Sequence, residues 1–300
     1  MTASNSQALH KLHGWKGGLI EVIDGKNAYI SVVFSWLLEK AINRGAELLS
    51  QGYRVQIGGP AADYAGISSP NGSCNFAQYH NPLAVRTSTG CIFDCDFCIV
   101  HKIEGDLKEK DHWEPNPIVY DNILNGCSTR HFDKVIDSLK PVPDVDFNQG
   151  ISAVLLTSYQ ASRFAELDLK FIRLAWDNVD YEPKFMRGYE ILRKAGIPKS
   201  KISVYILIGH KDTPEDALYR LETVRSLGIK PFPMRYQPLD TKVRNSYVGE
   251  HWTNSELVRY CQYWTNLRFV GNLRFEDFTY PIPKELREKR KQRLAERRNR

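Results

Sequence analysis

The stretch Cys91-Ile-Phe-Asp-Cys95-Asp-Phe-Cys98 carries three thiols within eight residues, spaced as C-x3-C-x2-C. It follows a short extended segment, residues 82–87, and the Ser-Thr-Gly turn at 88–90. A loop this tight can hold three thiolates on three corners of one iron–sulfur cube, and it leaves the fourth iron without a protein ligand. Cluster sites that only carry electrons usually have four cysteine ligands. The spacing therefore predicts a cluster whose open corner binds a small molecule.

A zinc site and a disulfide are the two alternatives to a cluster at these thiols. His101 lies three residues after Cys98, so the three cysteines and this histidine could form a Cys3His zinc site. Zinc knuckles usually use two ligand pairs separated by a spacer, whereas these four residues fall within eleven positions. A disulfide would need an oxidising compartment, and nothing at the N-terminus resembles a secretory signal. The spacing favours the cluster over both alternatives.

Length and composition agree with a soluble enzyme. Three hundred residues, 42% of them hydrophobic and 25% charged, suggest one large α/β domain or one domain with a smaller attachment. The longest apolar stretch, residues 28–38, is too short to span a bilayer and is interrupted by serines. We therefore expect a cytoplasmic protein that does not enter a membrane. The remaining cysteines, Cys74, Cys127 and Cys261, are scattered, and we expect packing or surface thiols there.

The positive charge of the chain is concentrated at its C-terminus. Residues 284–300 contain nine Lys/Arg and three Asp/Glu, which equals the whole net charge of +6, and the other 283 residues carry 32 charges of each sign. With few apolar residues, this segment is predicted to be a solvated helix or a disordered arm. A basic tail of this kind can also attract nucleic-acid phosphates.

Extended segments recur along the body of the chain at intervals of 26 to 34 residues. Each interval has room for a strand, a helix and two short loops, and residues 159–167, 183–195 and 214–227 have a helical pattern. Thr213-Pro-Glu-Asp216 marks a helix start, with an N-cap hydroxyl followed by proline. Six βα units predict a parallel sheet that curls into a partial (β/α)6 TIM-like barrel. The predicted strand centres are Val85, Val119, Phe147, Arg173, Tyr205 and Pro233.

Hydrogen-bonding residues follow every predicted strand. In a barrel of this kind the chemistry takes place at the carboxyl ends of the strands. Asn, Asp and Gly are also common where any loop begins, so the set as a whole indicates a site, and no single member does. The residues that follow the six strands are, in order, the cysteine loop, Asp121-Asn122, Asn148-Gln149, Asp177-Asn178, Gly209-His210-Lys211-Asp212 and Arg235-Tyr236-Gln237.

With Phe97 immediately before the third cysteine, the C-x3-C-x2-C run resembles the signature of the radical S-adenosylmethionine (radical SAM) enzymes. Enzymes of that family have a six-unit partial barrel, so the motif and the strand period agree. The resemblance covers roughly residues 82–239. It implies a [4Fe–4S] cluster ligated by Cys91, Cys95 and Cys98, with SAM chelating the open iron.

The resemblance also implies roles for residues at the strand ends. The second strand commonly ends in a Gly-Gly-Glu motif that holds the SAM amino group; here Asp121-Asn122 departs from that pattern. Residues 205–212 match a G-x-I-x-G-x-x-E element only in part, because the first glycine is missing. The predicted cofactor-binding residues are Phe97 near the adenine, Asp121, Asn122, Gln149, Asp177 at the ribose, and Gly209.

The chemistry that the resemblance implies is reductive cleavage of SAM to a 5′-deoxyadenosyl radical, which abstracts hydrogen from a substrate. An external low-potential donor such as flavodoxin or ferredoxin would supply the electron. Proton donors near the radical would then determine the product. The candidates are His210, Lys211, Arg235 and Tyr236, together with Tyr205, because they belong to the last two strands.

The first eighty residues have a different pattern. Residues 28–34 are strand-like, 37–50 helix-like and 54–58 strand-like, ending in Gly-Gly-Pro. This small α/β segment resembles a reduced form of the domain that precedes the barrel in cobalamin-binding radical SAM proteins. Their D-x-H-x-x-G signature is absent, since His10 and His13 have the wrong spacing, so no cobalamin is expected. The predicted organisation is residues 1–80, a barrel at 81–270 and a basic tail at 271–300.

The sequence leaves three hypotheses for the substrate. The first is modification of a small metabolite or nucleotide inside the barrel. The second is modification of a nucleic-acid base, with residues 284–300 contacting phosphates. The third is a non-catalytic metal–sulfur protein that binds nucleic acid. Cleavage of SAM separates the third hypothesis from the others, and salt-dependent polynucleotide binding separates the second from the first.

Overall fold

Strands and helices alternate along the chain in the structure, a computed structural model that describes residues 15, 17–69, 76–270 and 273–281 and positions 285, 288 and 292. His10, His13, Cys74 and most of the predicted tail lie outside the described residues. The strands are β1 (Leu19–Asp24), β2 (Asn27–Val32), β3 (Arg54–Gly58), β4 (Ala84–Val85), β5 (Ser88–Thr89), β6 (Lys108–Glu109), β7 (Ile118–Val119), β8 (Val145–Ile151), β9 (Leu169–Ala175), β10 (Ile202–Ile208) and β11 (Lys230–Arg235). The helices are α1 (Leu38–Ser50), α2 (Pro60–Tyr64), α3 (Phe76–His80), α4 (Val100–Glu104), α5 (Thr129–Leu139), α6 (Ser158–Ala165), α7 (Glu182–Lys194), α8 (Pro214–Ser226), α9 (Asn254–Thr265) and α10 (Leu267–Val270).

Six strands form one parallel sheet, in the order β4-β7-β8-β9-β10-β11. Every neighbouring pair in it is parallel. Each of the six predicted strand centres falls inside one of these strands, and the spatial order is the order along the chain. The predicted α/β fold with a parallel sheet is therefore confirmed.

Alternation along β10 explains how the sheet packs. Ile202, Val204, Ile206 and Ile208 are buried in the main core, while Tyr205 between them is half-buried on the opposite face. Because successive side chains of a strand point to opposite faces, one face of the sheet packs on the helices and the other carries mixed polar and aromatic groups. The main core thus lies between the sheet and helices α5 to α9.

Side-chain caps fix where several helices begin. Thr213 accepts a hydrogen bond from the amide of Asp216 and Asp216 returns one, with Pro214 in the first turn of α8, which confirms the predicted start. Thr157 and Thr253 make the same reciprocal box at α6 and α9. Each box satisfies amides that have no partner inside the helix. No helix in the described ranges is long and apolar enough to cross a membrane.

Two prolines explain why the sheet ends at β11. The amide of Tyr236 donates to the Ile208 carbonyl at 2.9 Å, so the even-numbered amides of β11 point towards β10. Pro231 and Pro233 occupy the alternate positions, which face away from β10. Proline has no amide hydrogen, so a further strand would find no donor at either position. The edge of β11 therefore resists extension of the sheet.

The end of the third strand of this sheet differs from the expectation. The sequence predicts that Asn148-Gln149 ends it, but β8 continues to Ile151. The register against β9 shifts between Phe147 and Ile151, and Gly150 in that shift has a φ of +106°. A bulge of this kind needs a residue that tolerates positive φ, and glycine does so at little cost. Asn148 and Gln149 thus lie within an irregular strand.

Residues 19–64 form a second, smaller α/β unit. β1 and β2 are an antiparallel pair, β3 is parallel to β2, and α1 covers one face with a core of its own. Its α2 contacts α4, and α3, which follows the unit, contacts both β1 and β4. The Ser35 hydroxyl donates to the Thr241 carbonyl at 2.7 Å, in the loop after β11. The N-terminal unit thus contacts segments that follow the first and the last strands of the main sheet.

Candidate functional site

The three predicted cluster cysteines lie on a loop whose ends are joined. β5, which precedes the loop, pairs with β6 after α4, and the Cys91 amide donates to the Gly105 carbonyl at 3.2 Å. Gly90 has a φ of +73°, and a Cβ there would collide with the Asp106 carbonyl. Glycine is therefore required at the entry to the loop. The loop begins after β4 and β5, and the chain passes through α4 before it reaches β6.

Within this loop the three thiols are half-buried and interact electrostatically. Burial raises the pKa of Cys95 to about 11, and the charges of Cys98, Asp177 and Cys91 act in the same direction. Burial likewise raises the pKa of Cys98, although the Val100 amide opposes it. The Phe93 amide donates to the Cys91 sulfur at 3.4 Å. Three thiolates can coexist here only when positive charge is close to them.

Glu104 fixes the start of the cysteine loop. Its carboxylate accepts from Arg86 at 2.7 Å, from the Gly90 amide at 2.7 Å and from the Asn122 amide group at 2.7 Å. Asn122 also donates to the Gly90 carbonyl at 3.1 Å. We call Arg86, Gly90, Glu104 and Asn122 the Glu104 cluster. The predicted cofactor residue Asn122 is therefore bonded to the entry of the loop.

Asp121 accepts three hydrogen bonds from the segment before the loop. It is 3% exposed and accepts from the amides of Thr87 and Ser88 at 2.6 and 2.8 Å and from the Thr87 hydroxyl. Burial raises the pKa of Asp121 although these donors oppose the shift. His131 approaches the same hydroxyl at 3.2 Å. Asp121, whose predicted place is at the SAM amino group, thus holds Thr87 and Ser88 in position.

The middle of the cysteine loop contacts the end of β10. Asp96 accepts from His210 at 3.2 Å and from the Lys211 ammonium group. The Phe97 ring meets the His210 ring edge-on, with centroids 5.8 Å apart. The structure thus brings two predicted catalytic residues against the loop that carries the thiols. The Lys211 side chain is 74% exposed, so its ammonium group forms a solvated ion pair with Asp96.

Two acids lie near the ends of β9 and β10. Asp177 is half-buried, and burial raises its pKa to about 6 against the opposing charge of Arg220. Gly209 has a φ of +80°, and its amide donates to Asp212 at 2.8 Å. Asp212 also accepts from the His210 amide and the Trp252 indole, both at 3.2 Å. The predicted residues Asp177 and Gly209 therefore lie at neighbouring strand ends.

Arg220 of α8 is a site residue that the sequence reasoning missed. It is fully buried and donates to the carbonyls of Trp176 and Leu207, each at 3.0 Å, and to the Asp212 carboxylate. One guanidinium therefore ties together the ends of β9 and β10 and the loop that carries His210. A signal was present in the sequence, because Arg220 shares the buried face of α8 with Ala217, Leu221 and Val224.

Arg235 organises the loop after β11. Its guanidinium donates to the carbonyls of Asn245 and Tyr247 at 2.7 and 2.8 Å and to the Asn254 side chain at 3.0 Å. Burial lowers its pKa. The ring of Tyr236 lies between His210, at a centroid distance of 4.3 Å, and Tyr247, at 5.1 Å. The predicted proton donor Arg235 is thus an anchor, and Tyr236 lies in a row of rings.

The polar face of the sheet carries paired charges behind these loops. Arg173 pairs with Asp146 and also donates to the Phe147 carbonyl at 3.2 Å. The Tyr205 hydroxyl donates to the Asn148 carbonyl at 2.9 Å, which supports the bulge in β8. Gln149, a predicted cofactor residue, is exposed beside it. These groups form the surface beneath the carboxyl edge of the sheet.

Other sequence features lie away from this edge. Cys127 and Cys261 pack against the main core, as expected for packing thiols. A groove of the N-terminal unit, lined by α1 residues together with Leu19, Glu21, Ile30 and Trp36, contains none of the predicted site residues. In the described ranges, no group of three or more His, Cys, Asp or Glu side chains is arranged to hold a metal ion. Ligation by Cys91, Cys95 and Cys98 therefore stays a prediction.

Comparison with known proteins finds no matching family model and no matching curated relative.

Proposed function

We propose that this chain is a radical SAM enzyme, which holds a [4Fe–4S] cluster through Cys91, Cys95 and Cys98 and cleaves SAM reductively to take hydrogen from a small metabolite or nucleotide. The observation that carries the proposal is the setting of the C-x3-C-x2-C loop. One end of it is bonded to the Glu104 cluster, its middle contacts His210, and it lies at the carboxyl edge of a parallel sheet. Chemistry in parallel α/β folds takes place at that edge.

The strand order supports a partial (β/α)6 barrel. Six parallel strands follow one another in space as they do in sequence, and their main core lies on a single face. Right-handed crossovers place successive helices on that same face, and the accumulated twist curves the other face inwards. Pro231 and Pro233 keep the last edge from adding strands. A curved, open sheet bridged by the N-terminal unit is the proposed architecture.

The donor set suits an iron–sulfur cluster. Cys98 and Cys91 raise the cost of ionising Cys95, Cys91 raises that of ionising Cys98, and bound iron would supply the positive charge that three thiolates need. The amide of Phe93 beside the Cys91 sulfur is of the kind that tunes cluster potentials. When bound, the reduced cluster and SAM would supply the 5′-deoxyadenosyl radical, and an external flavodoxin or ferredoxin would supply the electron.

The residues of the chain divide into those that bind SAM and those that position the loop. Asp177, after β9, is the proposed ribose ligand, and Phe97 of the cysteine loop and Gly209 after β10 are the residues that would contact the adenine. Asp121 and Asn122 act by positioning, since both are bonded to residues 87–90 or to Glu104. Gln149, exposed beside the bulge, stays a candidate for the SAM amino group.

Among the candidate proton donors, Tyr236 fits the role best. The Arg235 guanidinium is bonded to three groups of the following loop, and Lys211 pairs with Asp96 in solvent. His210 contacts Asp96 and two rings, so its first role is to hold the cysteine loop against β10. Tyr236 is half-buried, and burial raises the pKa of its hydroxyl, which keeps the hydroxyl protonated.

The test is the product of SAM turnover. Reconstituted without oxygen and given a low-potential reductant, the protein should form 5′-deoxyadenosine and methionine, measured by chromatography. Asp177→Ala should weaken SAM binding about tenfold or more, since one charged hydrogen bond is lost, while iron content stays the same. Asp180→Ala, on the exposed turn that follows, is the matched control. Formation of S-adenosylhomocysteine alone would refute the proposal, as would a loaded protein that leaves SAM intact.

A further inference from the structure

A row of four rings runs outward from the cysteine loop. Phe97, His210, Tyr236 and Tyr247, which we call the ring file, have successive centroid distances of 5.8, 4.3 and 5.1 Å. The contacts are tilted or edge-to-face, at 73°, 51° and 88°. An edge-to-face contact covers at most one face of one ring. Because all four side chains are half-buried, ring faces remain for a ligand.

The outer half of the ring file is held in place before any ligand arrives. Arg235 binds the carbonyls on both sides of Ser246, at Asn245 and Tyr247. Gln237 and Asn245 bond to each other twice, at 2.6 and 3.0 Å. A ring that is already immobilised loses little conformational entropy when a ligand stacks on it. The loop thus presents Tyr236 and Tyr247 as a preformed surface.

Two partly buried arginines of the chain are already paired. Arg173 pairs with Asp146, and Arg86 pairs with Glu104. An anionic metabolite could bind either guanidinium only in competition with a partly buried carboxylate of the protein. Neither arginine therefore favours an anion, which leaves an uncharged group as the ligand that suits the ring file. Aromatic stacking is the interaction that remains to hold such a group.

An amide side chain at the same edge of the sheet can recognise the rim of a flat ring. Asn148 is half-buried at the bulge of β8. A carboxamide offers donors and an acceptor together, which is the pairing that the edges of nucleobases accept. Ring faces on the ring file and this amide suit the same chemical group, a flat heterocycle.

Building on the proposed radical SAM function, we propose that the substrate presents an uncharged, nucleobase-like heterocycle that stacks on Tyr236 and Tyr247. The ring can belong to a free nucleoside or to an unpaired base of a single strand, since both offer the same faces. The charge of the loop after β11 favours neither source, because exposed Lys242 and Arg244 are offset by exposed Asp240 and Glu250. The experiment separates them.

Binding is measured by calorimetry on the reconstituted protein at saturating SAM, so that the SAM adenine is already in its own site. The probes are the four ribonucleosides and a mixed-sequence 12-mer of single-stranded DNA, and ribose 5-phosphate is the anionic control. Tyr247→Leu removes a ring, whereas Tyr247→Phe keeps it. Tyr236→Leu and Tyr236→Phe repeat the comparison, and Tyr159→Leu removes an exposed ring on α6. Thermal melting establishes that each variant is folded.

At least one nucleoside or the 12-mer should bind the parent protein. Either leucine variant should weaken that binding about tenfold, because one stacked base contributes on the order of 1–3 kcal/mol, while the phenylalanine variants and Tyr159→Leu should not. Nucleoside binding identifies a small substrate; tighter, salt-dependent 12-mer binding identifies a strand. No binding of any ring probe, equal binding of ribose 5-phosphate, or equal losses in Phe and Leu variants would overturn the inference. If SAM is cleaved in such a case, only this inference fails; if a ring binds but SAM is never cleaved, the proposed function fails instead.

Discussion

The ends of β7 and β9 carry the same kinds of residue in the same order, Tyr120-Asp121-Asn122 and Trp176-Asp177-Asn178. Asp121 accepts three hydrogen bonds from residues 87 and 88, and Asn122 bonds to the cysteine loop. Burial raises the pKa of both acids, that of Asp177 to about 6, but Asp177 accepts from the Leu207 amide and not from the cysteine loop segment, and Asn178 caps the short turn that follows. The end of β7 therefore builds the loop. The end of β9 keeps an acid available for a ligand.

The difference arises from what each end faces. Thr87 and Ser88 enter the cysteine loop directly above β7, so their amides reach Asp121. At the end of β9 the Leu207 amide bonds to Asp177, and the Arg220 guanidinium, whose charge acts on Asp177, donates to two carbonyls and Asp212. Two closely similar tripeptides thus have different roles, because their neighbours differ: the one after β7 supports the loop, and the one after β9 leaves an acid for a ligand. The residue types alone do not distinguish these two roles.

Of the changes at these strand ends, removal of the Arg220 guanidinium should have the largest effect on the free energy of unfolding. Arg220→Met leaves the Asp212 carboxylate buried and two carbonyls without their donor, so we expect a loss of about 3–5 kcal/mol in the free energy of unfolding. Urea unfolding followed by circular dichroism measures it. Arg44→Met removes an arginine whose ion pairs with Glu21 and Glu47 are on the surface, and should change stability little. Equal losses in both variants would show that Arg220 does not support the ends of β9 and β10.

Asp177 should make the free energy of unfolding depend on pH. The pKa of Asp177 is about 6 in the folded chain and near 3.8 when unfolded, so the folded state binds its proton more tightly. Stability from this group is present below about pH 4 and is lost as pH rises to about 6, by about 2–3 kcal/mol. Asp177→Asn should abolish this part of the pH dependence in the iron-free chain, measured by urea unfolding between pH 4 and 7. Parallel curves for the parent and the variant would contradict the assignment.

Substitution of Asn122 or Asn178, the asparagines at the ends of β7 and β9, should change the free energy of unfolding least. The two variants also compare the two strand ends most directly. Asn122→Ala removes two hydrogen bonds of the Glu104 cluster and should cost about 1–2 kcal/mol of unfolding free energy. Asn178→Ala removes the cap of an exposed turn and should cost less, about 0.5–1 kcal/mol. Only Asn122→Ala should also slow iron uptake, because it loosens the entry to the loop. The same slow uptake in Asn178→Ala would remove the distinction between the two strand ends.

Much of the fold could be predicted because its signals are local. Six strand centres, the parallel order and the capping box at Thr213 follow from patterns within about thirty residues. The two-residue pair of β5 and β6 was missed, since so short a strand has no alternation to detect. The bulge at Gly150 was missed because it depends on the register against β9.

The candidate site could be predicted less fully, since its assignments depend on partners distant in sequence. No local pattern indicates that Asp121 accepts a hydrogen bond from a residue 34 positions away. Nor does one indicate that Arg235 donates to the loop that follows it. Arg220 acts through carbonyls 13 and 44 residues distant. Only its position on the buried stripe of α8 is visible in the sequence. Residue type and strand end locate a site; hydrogen-bond partners decide what each residue does there.

The most direct test of the cluster assignment is the iron content of protein reconstituted without oxygen. The parent chain should hold about four iron atoms, with the electron paramagnetic resonance of a [4Fe–4S] cluster after reduction. The Cys91→Ala, Cys95→Ala, Cys98→Ala triple variant should retain almost none. The Cys127→Ala, Cys261→Ala double variant, which removes two thiols outside the loop, should match the parent. Full iron in the triple variant, or one zinc per chain in place of iron, would contradict the central claim.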